Sequence, residues 1–277
     1  MNNLSKINKC FYINLDKCTQ RRELCEIELK KLFEKGKIEK VSAHDSSQDI
    51  MNGKPADGAF GCIISHIYCL SLAIERKYDS VAIFEDDIQI VNEQELKRSI
   101  NYVLRTNKQW DVLLLGGINF KPYTERKKHS VKVNNCETTS QYIVKKEYMI
   151  TLLTNFKTAL YRLTQSYNIH EGNPYPKEMY NFSCYALDIY WKTLQTKDKW
   201  YLVLPLNIFQ RPGHSDISNI HIDNSRDMRC LNNIPRENMV KFPLLEDDAK
   251  EENSQNTTNQ PQHQSNKLKR KRTTIQK

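Results

Sequence analysis

The chain has 277 residues, of which 39% are hydrophobic, and a mean hydropathy of −0.70, enough for one large or two modest domains with a buried core. No apolar run reaches the roughly 18–20 residues of a membrane span, and the start, MNNLSKINKCFYINLD, lacks the apolar core and small-residue cleavage site of a secretory leader, so a soluble, cytoplasmic protein is expected. The net charge of +9 owes much to the terminal KLKRKRTTIQK from Lys267 and not to a folded face, which argues against a specific nucleic-acid binder.

In chain order, KCFYIN (Lys9–Asn14) reads as a first buried strand, followed by the polar turn Leu15–Thr19. Gln20–Lys35 carries Leu24, Ile27, Leu32 and Phe33 near helical spacing, with Gly36 as the expected stop. Glu39–Ala43 fits a short strand, and His44–Pro55 is a loop by composition. From Gly58 a helix is expected to about Lys77, with two adjacent apolar stripes, Ile63/Ile67/Leu70/Ile74 and Cys62/His66/Cys69/Ala73. A helix apolar over so wide an arc is mostly buried, which puts His66 on a core-facing stripe one residue after Ser65. Next comes SVAIFEDDI (Ser80–Ile88), then a helix (Glu93–Arg105) and a strand (Asp111–Leu115) ending in Gly116-Gly117. Alternation of apolar strands and helices is the pattern of an α/β domain with a mainly parallel sheet.

The second half is less regular. Glu137–Lys145 fits a strand that begins beside Ser140-Gln141, and Tyr148–Leu163 fits a helix. Pro174 and Pro176 mark a loop before Phe182–Thr196, which contains Asp188 and Trp191. Trp200–Leu204 reads as a final strand stopped by Pro205, with the polar NIFQRPGHSDIS after it. From about Asp247 almost nothing is apolar, so residues 1–245 are expected to form the domain and 246–277 a disordered tail. The cysteines (Cys10, Cys18, Cys25, Cys62, Cys69, Cys136, Cys184, Cys230) show no C-x-x-C and no zinc-type pairing with histidine, and read as reduced core thiols.

The chain has no Walker motif, no G-x-G-x-x-G after a strand, no G-x-S-x-G and no H-E-x-x-H. The main chemical clue is the apolar run Val81–Phe84 ending in Glu85, Asp86 and Asp87. Carboxylates so placed repel one another and need water or a cation, and their oxygens are the hard ligands that Mg²⁺ and Mn²⁺ prefer. Ligands of open α/β sheets sit beyond the strands' carboxyl ends, where these acids fall. The alternative is a solvated acidic turn. Arg21-Arg22, just past the first strand, suits phosphate recognition, or is an exposed arginine pair in a helix's first turn.

Together these pieces resemble glycosyltransferase family 25, which includes lipopolysaccharide and collagen galactosyltransferases. FYINLDKCTQRRE from Phe11, GCIISH (Gly61–His66), IFEDD (Ile83–Asp87), SQYIVKK, Asp188, and Gln210 with Ser215-Asp216-Ile217 occur in the family's order, between about Lys9 and Ile217. The resemblance implies a GT-A type fold, a UDP-sugar donor (UDP-galactose or UDP-glucose), Mn²⁺ or Mg²⁺, and inversion at the anomeric carbon. It makes Glu85 and Asp87 the metal ligands, with Asp86 contacting ribose or orienting its neighbours. Asn14, Arg21 and Arg22 fall on the nucleotide side. Ser65 and His66 contact nucleotide or the acidic loop, or are satisfied core residues. Asp188 becomes the general base, its alternative being a helix N-terminal charge. His214 is a further metal or diphosphate contact by fold analogy.

The acceptor implied is a hydroxyl of a glycan, glycolipid or protein. Without a secretory leader or retention signal, a collagen-modifying role is disfavoured. The basic tail fits a nuclear address, an electrostatic contact with an anionic membrane bearing a glycolipid acceptor, or a solvated end without a role. Two other readings stand beside the transferase: a carboxylate-metal phosphohydrolase or nuclease, which lacks the separated Asp/His clusters of two-metal sites, and a non-catalytic sugar-binding module of the same fold.

Overall fold

The stretch that ends in the three acids lies inside a mixed sheet in the computed structural model of the chain, which describes residues 3–51, 53–120, 126–169, 185–215, 220–223 and 228. The chain divides into two units, Met1–Val240 and Lys241–Lys277, and every described residue belongs to the first. The expected tail (246–277), the Pro174–Cys184 segment and Asp216-Ile217 lie outside the described residues.

The first half comprises β1 (Lys9–Asn14), α1 (Thr19–Leu32), β2 (Ile38–Ser42), β3 (Ile50–Met51), β4 (Lys54–Pro55), α2 (Gly58–Glu75), β5 (Ser80–Glu85), β6 (Ile88–Ile90), α3 (Glu93–Thr106), β7 (Val112–Leu114) and β8 (Ile118–Asn119). The second comprises β9 (Arg126–Lys127), β10 (Ser130–Lys132), β11 (Cys136–Glu137), β12 (Gln141–Lys145), α4 (Lys146–Ile169), α5 (Leu187–Tyr190), α6 (Lys192–Gln195), β13 (Trp200–Val203), β14 (Ile208–Gln210), β15 (Gly213–Ser215) and β16 (Ile220–Ile222).

Eight strands form the main sheet in the order β2-β1-β5-β12-β7-β13-β10-β9. β1 pairs in parallel with β2 and β5, as β13 does with β7, while β12 runs antiparallel between β5 and β7. The expected α/β class with a mostly parallel sheet is therefore present, with β12 and β10 as reversed members. One face packs on α1 and α3 through Cys10, Tyr12, Ala82, Phe84, Cys25, Leu29, Leu96 and Ile100. The other carries α2 and α4, which pack on each other and on β5 and β12. β5 is buried on both faces along Val81–Phe84, as its continuous apolar run requires.

Several sequence expectations need correction. α1 ends at Leu32, not at Gly36, because Phe33 is already extended with its ring packed on Phe84. Its buried face is Cys25, Glu28, Leu29 and Leu32, and the expected core residue Ile27 is 55% exposed. Glu28 is tolerated inside because its carboxylate accepts from Ile90 N (2.9 Å) and pairs with Lys31 (2.7 Å). The expected strand over Glu137–Lys145 is two strands in different sheets, broken at Thr138, whose φ is 75°. Within the expected loop His44–Pro55, β3 and β4 form a small antiparallel pair. α4 also begins earlier and runs further than its apolar pattern suggested, spanning 24 residues.

The expectation that no stretch has the length and apolarity of a membrane span does not hold for α2, whose 18 residues are apolar enough by length and composition alone. Half of it is buried inside the fold, so core packing accounts for its composition. Asp57 caps its first turn by accepting from Phe60 N (3.1 Å). Gly61, one turn in, lies against the loop after β2: a Cβ here would come within 2.5 Å of the His44 carbonyl oxygen. Gly61→Ala is therefore expected to lose about 1–3 kcal/mol of stability by overpacking against fixed backbone. Thermal melting of the variant beside the unaltered chain checks this.

Candidate functional site

The carboxyl ends of β1 and β5 and the amino end of the reversed β12 meet at one edge of the sheet, since Ile13 is in register with Glu85 and Phe84 with Gln141. A cleft of about 690 Å³ opens there. Its walls include Asn14 and Arg21 from one side, Cys62, Ser65 and His66 from α2, the acids Glu85, Asp86 and Asp87, and Asp188, Gln210 and Arg211. Residues far apart in sequence thus converge where the topology of an α/β sheet places ligands.

The three acids have three environments. Asp86 is bound from the protein side, accepting from Asn14 Nδ2 (2.5 Å) and pairing with the Arg21 guanidinium. Burial raises its pKa, against the lowering influence of Arg21 and Asn14. Glu85 accepts from Thr139 Oγ1 (2.7 Å) and lies 3.5 Å from His66 Nε2. Burial alone would raise its pKa, but His66, Thr139 and Arg21 outweigh that and hold it below the ordinary glutamate range. Asp87 is pushed up to about 8, first by burial and then by repulsion from Glu85 and Asp86. Its Oδ2 accepts from Gln210 Nε2 (3.3 Å), whereas its Oδ1 is buried with no hydrogen-bond partner among the described residues. Glu85 and Asp87 are the carboxylates with capacity to spare for a divalent cation, and the bare oxygen of Asp87 is the observation that fits one.

Asp188 lies in the first turn of the short helix α5, anchored by buried Leu187 and by Trp191, which donates from Nε1 to Cys136 O (2.9 Å). Its Oδ2 accepts from Thr138 N (3.1 Å). Burial, followed by repulsion from Glu137 and Glu85, raises its pKa against that hydrogen bond. The helix N-terminal position weighed from sequence is real, but the side chain also lines the cleft.

The remaining expected residues divide. Ser65 is buried, and its hydroxyl is engaged within the protein, accepting from His44 N (2.9 Å) and donating to Gly61 O (2.7 Å). His66 is wholly buried, with Nδ1 3.0 Å from the Tyr142 hydroxyl and its ring stacked on that of Tyr142. Both line the cleft wall. Arg21 does so as well; Arg22 does not, and its charge acts on Tyr12, Asp16 and Glu26. β15 carries the backbone of His214 beside cleft-lining Gly213, and the His214 side chain lies outside the described residues.

Sequence reasoning missed the double role of ETTSQY. Consecutive residues Thr138 and Thr139 hold Asp188 and Glu85, tying the expected base to an expected metal ligand. The signal was the polar triplet before an apolar strand, read simply as strand. It also missed Arg211, whose backbone N–H donates to Asp87 O (2.5 Å) because β14 pairs with β6 and returns the chain to the acidic turn. Cys62, taken for a core thiol, lines the cleft four residues before His66.

Residues 7–172 match the family described as Glycosyltransferase family 25 (LPS biosynthesis protein). No curated protein matches the chain. Among solved structures, A197 from STIV aligns at 14% identity over 75% of this chain and 96% of its own, with a TM-score of 0.34. Mannose-1-phosphate geranyltransferase from Thermus thermophilus aligns at 11% identity over 72% of this chain and 73% of its own, with a TM-score of 0.39. A glycosyltransferase involved in the glycosylation of the major capsid of PBCV-1 aligns at 10% identity over 62% of this chain and 72% of its own, with a TM-score of 0.31. These likenesses are too loose to carry a functional argument.

Proposed function

The chain belongs to glycosyltransferase family 25, and from that premise we propose that it is an inverting, metal-dependent hexosyltransferase of GT-A type. Its donor is a UDP-sugar, UDP-galactose or UDP-glucose, and its acceptor a hydroxyl of a glycan, glycolipid or protein. The observation that carries the reading is the buried Asp87 Oδ1, without a hydrogen-bond partner among the described residues, beside Glu85 at the sheet's carboxyl edge. Glu85 and Asp87 would hold a divalent ion, Mn²⁺ or Mg²⁺, which would supply Lewis-acid neutralisation of the departing diphosphate.

The protein's own groups account for the rest. Arg21 lines the cleft, where its guanidinium, paired with Asp86, adds positive charge suited to phosphate oxygens; Arg211 lines it as well, with its guanidinium near Ile88 O (3.5 Å) and Glu28 (3.7 Å). Asn14 and Arg21 hold Asp86, which supports a role for Asp86 in fixing the acidic turn and orienting its neighbours. Asp188 takes the proton of the acceptor hydroxyl as its oxygen bonds to the anomeric carbon, while the bond from that carbon to the phosphate oxygen breaks and the nucleoside diphosphate leaves with the electron pair. The raised pKa of Asp188 favours proton uptake, and the hydrogen bond from Thr138 aims the carboxylate. The basic tail, if it meets an anionic membrane, brings the domain to a glycolipid acceptor.

Calorimetric titration with UDP tests the donor side. Binding is expected to tighten about tenfold or more with Mn²⁺ present, since an ion held by Glu85 and Asp87 would offset the charge of the diphosphate. Equal affinity with and without the ion would contradict the reading.

A further inference from the structure

We propose that Cys62, His66 and Glu85 bind a zinc-class divalent cation, a site of different chemistry from the hard-cation position at Asp87. Among the described residues, the Sγ of Cys62, an imidazole nitrogen of His66 and a carboxylate oxygen of Glu85 all lie within 4.8 Å of one another. Ligand atoms in a tetrahedral zinc site stand roughly 3.3–3.7 Å apart, given bonds of about 2.0–2.3 Å. Small side-chain rotations close that difference.

The independent observation is His66. Its side chain is wholly buried, yet Nε2 has no aligned hydrogen-bond partner among the described residues; Glu85 Oε1 is nearby at 3.5 Å. A buried, unpartnered nitrogen is costly and uncommon. Nδ1 is held by the Tyr142 hydroxyl at 3.0 Å, and the ring lies against those of Tyr142 and Phe156. That is the support a ligating histidine requires: one nitrogen fixed by an outer partner, the other left to the ion. Thr139 orients Glu85 in the same way (2.7 Å). Cys62 and His66, four residues apart on α2, fall on one helix face.

The donor set decides the class of ion. Thiolate with imidazole suits zinc, whereas Mg²⁺ and Mn²⁺ favour all-oxygen sites. Binding releases the Cys62 thiol proton to solvent. Three protein ligands beside a cleft leave a fourth position open to solvent or substrate, the pattern of a catalytic and not a structural zinc site. The chemistry stands without the transferase reading, although Glu85 contributes to both positions.

The test uses the full chain after chelator treatment. Co²⁺ as the probe is expected to give a thiolate charge-transfer band, lost in Cys62→Ser, weakened in His66→Gln and retained in Asp87→Asn. Zinc content after dialysis should fall by about one ion per chain in Cys62→Ser. On the unaltered protein, which avoids any folding defect of the variants, Zn²⁺ should slow alkylation of Cys62, mapped by peptide mass, at least tenfold while Mg²⁺ does not. A cobalt spectrum without the thiolate band, the same band in Cys62→Ser, or alkylation of Cys62 indifferent to Zn²⁺ would overturn the proposal and leave His66 as a positioning residue for Glu85. Loss of UDP binding in Asp87→Asn with the cobalt band intact separates this site from the donor site.

Discussion

Asp87→Asn is expected to lower sugar transfer by about a hundred- to a thousandfold while leaving the fold intact. The Lewis-acid contribution of a bound ion is worth several kcal/mol, and each ~1.4 kcal/mol is tenfold in rate. Asparagine keeps the side-chain shape and an oxygen for Gln210 Nε2 to bond, so the contact at 3.3 Å survives. It removes the charge that burial and two neighbouring acids already oppose. The unliganded variant should therefore melt no lower than the unaltered chain, and its loss should appear in the ion requirement. Initial rates across a Mn²⁺ series, with melting curves beside them, check both halves.

Asp188→Asn is expected to reduce turnover by about 10²–10⁴-fold, the usual contribution of a general base, with little change in donor affinity. The amide oxygen still accepts from Thr138 N (3.1 Å in the unaltered chain), so α5 and its Trp191 anchor stay in place, but the side chain cannot take a proton. A fall in kcat with unchanged UDP affinity is the expected split. Equal losses in both would make Asp188 a structural residue of the cleft wall.

Much of this site was legible in the sequence because its parts lie at the ends of strongly apolar strands. β1 and β5 match the expected bounds closely, and the run Val81–Phe84 identified the acids at the tip. The order of INLD, GCIISH and EDD identified the family that the match over residues 7–172 shows. What could not be read is tertiary. Nothing local says that β12 runs backwards beside β5, yet that reversal delivers Thr139 to Glu85 and Thr138 to Asp188. Arg21 and Arg22 are adjacent and chemically alike; only the helix phase sends one to Asp86 and the other outside the cleft. Ile27 misled because hydrophobicity alone chose the face of α1, whereas buried Glu28 and Cys25 mark the true one.

The most direct measurement of the central claim is nucleotide release from a panel of UDP- and GDP-sugars, with and without Mn²⁺ and after chelation. The account predicts release of UDP from UDP-galactose or UDP-glucose, dependent on the ion and lost in Asp87→Asn. Release undiminished by chelator and by Asp87→Asn, or no release from any donor, would contradict it.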